Sequence, residues 1–174
     1  ERISDHLERN YIVPGKIPGC QVLIGRRGHV AYSRSFGFAD REREVPVSDD
    51  TIFRIYSMTK PITSVALMQL FEQGLFQLAD PVSKFLPEFK NPKVFLSGSY
   101  PHFMTSPAER EITIRDLLTH TAGLTYGFHY RTNVDHAYRK VWSGPRGDNT
   151  DFSFPPLDLE NFSKSIARLP LEFS

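Results

Sequence analysis

Residues 50–63 read Asp50-Thr51-Ile52-Phe53-Arg54-Ile55-Tyr56-Ser57-Met58-Thr59-Lys60-Pro61-Ile62-Thr63. Their first half, 51–56, is β-branched and aromatic and reads as a strand. From Pro61 to Phe71 the chain is apolar almost all round, through Ile62, Val65, Ala66, Leu67, Met68 and Leu70. A helix apolar on every side is expected to be buried. Gly74 is its natural stop. Pro61 sets the start, because proline is tolerated only in a helix's first turn, where N–H groups lack helical partners. Ser57 therefore falls at or next to the helix N-terminus, and Ser57-Met58-Thr59-Lys60 forms an S-x-x-K pattern.

On bare frequencies that pattern is weak, with roughly one chance match in a chain of this length. Its place gives it chemistry. Free N–H groups and the positive end of a helix dipole stabilise an oxyanion. A lysine three positions on lies on nearly the same helix face. Burial disfavours an ammonium, so a buried Lys60 could take the Ser57 proton as a neutral amine. The same residues also fit a plain N-cap serine and a snorkelling surface lysine.

Outward from this stretch, Ile3, Leu7 and Tyr11 predict a short amphipathic helix ended by Pro14-Gly15. The runs 20–25 and 30–36, joined by Arg26-Arg27-Gly28-His29, predict a β-hairpin. Residues 40–50 read as a charged surface connection. Asp80-Pro81 opens a short helical segment. Residues 87–111, rich in Pro, Gly and Ser, read as a long structureless loop of the kind that forms a flap. Thr113 is a helix N-cap, 120–128 a turn-rich loop, 134–142 a helix and 143–156 another loop. Asp158 caps a last helix that Pro170 closes. Strands precede helices, and three strands carrying a buried helix leave a sheet without partners for its edge and second face.

The 174 residues include 21 Lys plus Arg against 20 Asp plus Glu, so no field favours nucleic acid. No apolar run reaches the length of a membrane span. Cys20 is the single cysteine, which excludes an intrachain disulfide. The six histidines contain no H-x-x-x-H pair, so no metal site is expected. His120, in a Thr-His-Thr turn, reads as a hydrogen-bonded structural residue rather than a base. The Asn161-Phe162-Ser163 sequon reads as accidental on its helix. The chain opens without a signal segment, which favours the cytoplasm.

The segment 50–63 closely resembles the nucleophile region of the serine β-lactamase-like superfamily. The likeness is greatest to the family VIII carboxylesterases, relatives of class C β-lactamases and D-alanyl-D-alanine carboxypeptidases. Gly74-Leu75-Phe76-Gln77-Leu78-Ala79-Asp80-Pro81-Val82 and the run 112–127 (ITIRDLLTHTAGLTYG) extend it over nearly the whole chain. The resemblance implies an α+β, β-lactamase/transpeptidase-like fold, with an antiparallel sheet flanked by helices plus a mainly helical domain. Residues 1–75 would be the first part of the sheet domain and 76–174 the first part of the helical domain. It implies a serine hydrolase of small, short-acyl esters, with Ser57 acylated, Lys60 as general base and the Ser57 N–H as one oxyanion donor. Tyr126 and Phe128 would border the acyl pocket, ordinary loop packing being their alternative. A catalytic tyrosine and the second oxyanion donor would lie downstream of 169–174, outside this chain, which alone would be inactive. The partner is then the remaining C-terminal part of the same enzyme, and no cofactor is expected. The alternatives are a penicillin-interacting enzyme or, if the chain is complete, a non-catalytic binding protein of the same fold.

Overall fold

The computed structural model describes residues 1–143 and 158–174, apart from the side chains of Trp142 and Ser143. The chain divides into two units, Glu1–Thr59 and Lys60–Ser174.

In the first unit, helix α1 (Arg2–Leu7) runs into one π-helical segment, Glu8–Ile12. A tight turn at Arg27-Gly28, both residues at positive φ, then joins β1 (Gly19–Arg26) to β2 (His29–Asp40). Two central residues at positive φ match the right-handed twist of the flanking strands, which is why this loop makes a hairpin. The pairing is antiparallel from Gly19 opposite Gly37 to Arg26 opposite His29. The polar connection contains a strand that its composition hid. Residues of β3 (Val45–Pro46) pair with Phe38 and Asp40, and an edge position tolerates the proline. Phe36 and Val47 are buried here.

The strand expected over 51–56 does not form. Residues 51–55 have no regular structure, and Ile52 is 96% exposed. β propensity becomes a strand only where a neighbour accepts its ladder, and no described residue does so. Instead the Ser48 N–H donates to Thr51 Oγ1 at 2.9 Å, and the Ser48 hydroxyl to Asp50 Oδ1 at 2.7 Å. These bonds fold the entry to the segment into a turn.

Helix α2 (Thr59–Glu72), which from Lys60 on belongs to the second unit, spans the expected helix, and the Gly74 N–H closes it on the Phe71 carbonyl. The expectation of full burial is overturned. No residue of α2 is buried, and Ile62 and Val65 are each 62% exposed. Only one face packs, through Leu67 and Phe71, against a core of Phe76, Val82, Phe89, Ile112, Ile114, Ala122 and Leu171. An all-round apolar sequence specifies no face, so the neighbours present decide which side is covered.

The structureless loop expected over 87–111 is also corrected. It holds a second antiparallel hairpin, β4 (Lys93–Ser99) and β5 (His102–Pro107), bulged between Phe95 and Ser97. Phe95 and Phe103 meet edge to face at 5.7 Å between ring centres. The bulge breaks the alternation of Val94, Phe95 and Leu96, which disguised the strand as loop. Strands therefore recur after α2 rather than ending before it.

Leu171 extends this hairpin by a parallel bridge to Val94, with Leu171 N–H to Lys93 O at 2.8 Å and Phe95 N–H to Leu171 O at 2.9 Å. The short helix α3 (Ile114–Leu118) starts on a capping box between Thr113 and Asp116. The Arg110 guanidinium grips both Asp116 oxygens and holds that buried carboxyl well below the usual carboxylate range. Helices α4 (Asn133–Ser143) and α5 (Leu159–Ala167) follow, the latter capped by Asp158 as expected. The loop expected over 143–156 lies, from residue 144 on, outside the described residues.

Gly123 shows how tightly this unit closes. It sits at φ +75°, and a Cβ there would meet the Phe173 carbonyl oxygen at 2.1 Å. Gly28 has a similar φ of +78° with nothing within 4 Å. Gly123→Ala is expected to destabilise the whole protein by at least about 2 kcal/mol, and Gly28→Ala by about 1 kcal/mol. Urea midpoints of the two variants check this; equal shifts would show that the Phe173 backbone moves aside freely.

Candidate active site

Ser57 stands in a 3-10 turn, Tyr56–Met58, that runs directly into α2. The Met58 N–H donates to the Ile55 carbonyl at 2.9 Å. Tyr56 has φ +44°, a left-handed conformation that costs a bulky residue roughly 1–3 kcal/mol and clusters at functional sites. The kink turns the irregular 51–55 segment into the helix and leaves Ser57 exposed at its mouth.

Lys60 lies in the first turn of α2. Its expected burial is not found, for the chain leaves Lys60 exposed beside equally exposed Ile62. What the second unit does place beside it is an aromatic face. Lys60 Nζ lies 5.7 Å from the centre of the Tyr126 ring, within reach of a cation–π attraction. Tyr126 packs on Phe128 at 4.7 Å and on His129 at 5.3 Å, and Phe128 meets His129 at 4.8 Å. Tyr126 and Phe128 are 42% and 48% exposed.

Residues 125–131, which carry these rings, are held from behind by α4. Asp135 is 1% exposed, yet fully partnered. Its Oδ1 accepts from the Thr125 hydroxyl at 2.6 Å and its Oδ2 from the Arg131 N–H at 2.9 Å. Burial works to raise this carboxyl, but those two donors and the Thr132 N–H outweigh it and hold the acid below its ordinary range. One turn on, Arg139 donates to the Gly127 carbonyl at 2.5 Å and stacks its guanidinium 4.1 Å from the Tyr130 ring centre. Val134, Ala137 and Tyr138 are buried on the same helix, and burial pushes the Tyr138 phenol up to about 12.

Asp135 and Arg139 were not among the sequence candidates. A signal for Asp135 exists. Thr132-Asn133-Val134-Asp135 repeats the Thr-x-x-Asp of the Thr113 capping box, and the Asp135 N–H does donate to Thr132 Oγ1 at 3.0 Å. His120 stands at φ +60° with its N–H on the Leu117 carbonyl, a turn residue apart from the ring cluster. In the sequon, the Asn161 amide donates to the Asp158 carboxylate at the α5 cap. Among the described residues no group of His, Cys, Asp and Glu is placed to hold a metal ion, and no helix is long and apolar enough to cross a membrane.

The fold has counterparts in known proteins. A model of the Beta-lactamase family matches residues 5–174. The chain belongs to the Beta-lactamase family. Its similarity to Esterase EstB of Burkholderia gladioli is 34% identity over 159 residues, 91% of this chain and 36% of that protein. Protein Rv1367c of Mycobacterium tuberculosis is 37% identical over 137 residues, 79% of this chain and 33% of its own length. The solved structure of EstCE1, a hydrolase with promiscuous acyltransferase activity, superposes with a TM-score of 0.76 at 32% identity. That match covers 98% of this chain and 40% of the EstCE1 chain. The chain thus spans about a third of the length of these curated relatives. The β-lactamase/transpeptidase-like fold, with antiparallel sheets and helices, is the expected one.

The Asp135 carboxyl has a consequence for stability against pH. Its folded pKa lies below the unfolded value of about 3.9, so its contribution is complete above that value and is lost as pH falls through the folded pKa. Asp135→Asn is expected to lose roughly 1–3 kcal/mol at pH 7, the cost of buried donors left unpaired. The gap from the unmodified protein should narrow in thermal unfolding below about pH 4. A gap unchanged down to pH 2 would contradict an ionised Asp135.

Proposed function

We propose that this chain is part of a serine hydrolase, a carboxylesterase of the family VIII type, acting on small, short-acyl esters through an acyl-enzyme on Ser57. One observation carries the reading: Ser57-x-x-Lys60 stands across the start of α2, its register set by Pro61, in a family whose matched members include an esterase and a hydrolase. Ser57 Oγ attacks the ester carbonyl carbon while Lys60 Nζ takes its proton. The Ser57 N–H receives the oxyanion charge. Collapse breaks the bond to the leaving alkoxide, which takes the proton that Lys60 received. Water then attacks the acyl-serine and gives a proton to Lys60, which returns it to Ser57 Oγ as the acid is released. The exposed faces of Tyr126 and Phe128 offer an apolar wall for the acyl chain.

The remaining partners in this reading are a tyrosine and a second oxyanion donor from the rest of a longer protein. The same remainder covers Ile62 and Val65 of α2 and removes Lys60 from water. Such cover would add roughly 1.5–3 kcal/mol for each fully buried aliphatic side chain. The chemistry itself calls for no metal or organic cofactor.

In the full-length protein, Ser57→Ala is expected to lower p-nitrophenyl butyrate turnover by at least about a thousandfold. Lys60→Ala should lower it by roughly 10²–10⁴-fold. A fluorophosphonate adduct should map to the peptide containing Ser57. An adduct elsewhere, or turnover that survives Ser57→Ala, would remove the assignment. Nitrocefin hydrolysed faster than the butyrate ester would move the reading to a penicillin-interacting enzyme.

A further inference from the structure

We infer that Asp135 is a positioning residue for acyl transfer, acting through the ring of Tyr126 on the charge that arrives at Lys60. The inference rests on the reading of Ser57 and Lys60 as nucleophile and base. The chain of contacts lies within the second unit. Asp135 is 1% exposed, and its two oxygens take the Thr125 hydroxyl at 2.6 Å and the Arg131 N–H at 2.9 Å. These donors stand at the two ends of residues 125–131, so one carboxylate clamps both feet of the segment that carries Tyr126. A hydrogen bond to a charged acceptor is shorter and roughly twice as strong as a neutral one. Thr125 is the residue immediately before Tyr126. The clamp therefore sets the backbone from which the ring reaches Lys60 Nζ, 5.7 Å from its centre.

The function of that contact follows from when the charge appears. Before acylation the base accepts a proton from Ser57 Oγ; afterwards it is an ammonium facing an aromatic quadrupole. An interaction that strengthens on the way to the transition state raises kcat and leaves substrate binding nearly untouched. The ring, not the phenolic hydroxyl, is the working part. A carboxylate with a purely structural role would alter stability, and any loss of activity would not depend on the ring at position 126.

A double-mutant cycle on the full-length protein separates the two. With p-nitrophenyl butyrate, Tyr126→Leu is expected to lower kcat roughly two- to thirtyfold, the range of one cation–π contact, with KM changed less than about twofold. Tyr126→Phe should retain kcat within about twofold, because the ring face remains. Thr125→Val and Asp135→Asn should each lower kcat. Combined with Tyr126→Leu they should lower it no further, a coupling that independent sites do not show. Thr125→Val keeps side-chain shape and carries the cycle alone if Asp135→Asn does not fold. Additive losses, an unaltered kcat in Tyr126→Leu, or losses confined to KM overturn the positioning role. Ester turnover that persists in Ser57→Ala overturns the proposed function instead, so the two failures are told apart.

Discussion

A carboxylate that scarcely touches water is the constraint on which the wall of the candidate site depends. Asp135 is buried on α4, yet its charge is retained because three donors from the preceding loop converge on it. A buried charge without partners would neutralise or unfold its surroundings, and one donor would not suffice. The loop must therefore adopt the conformation that delivers the Thr125 hydroxyl and the Arg131 N–H together. Arg139 adds a second tie at the Gly127 carbonyl. The aromatic residues between these ties inherit their positions, and Tyr126 reaches Lys60 as a result.

The other half of the proposed chemistry depends on a helix start. Pro61 restricts where α2 can begin, and Tyr56, forced to a positive φ, bends the chain into it. Ser57 and Lys60 are three positions apart in sequence, on either side of the start of α2. Burial is different, because it needs surface from elsewhere. Within this chain, α2 packs through Leu67 and Phe71 and leaves Ile62 and Val65 open. The curated relatives matched are about two and a half times as long as this chain.

Local signals were legible wherever the chemistry of a turn or cap is short range. The Arg27-Gly28 hairpin, the Thr113 and Asp158 caps and the stop after α2 all follow from residues within one turn of each other. The misreadings share one cause. Residues 51–55 have strand composition but no ladder to join. Residues 93–107 have loop composition but pair with each other across a bulge, and Leu171 adds to them from the far end of the chain. Pairing is a property of two segments, so neither segment's composition decides it.

The sequence by itself determined the family likeness, the register of Ser57 and Lys60 and the places where helices start, since each depends on adjacent side chains and backbone. Tertiary structure alone decided which face of α2 is covered, that Asp135 is enclosed by Thr125 and Arg131, and that Tyr126 stands over Lys60. The last of these joins residues 66 positions apart, Lys60 and Tyr126. Burial and ring contact depend on what the folded chain brings near, and local propensity carries no information about that.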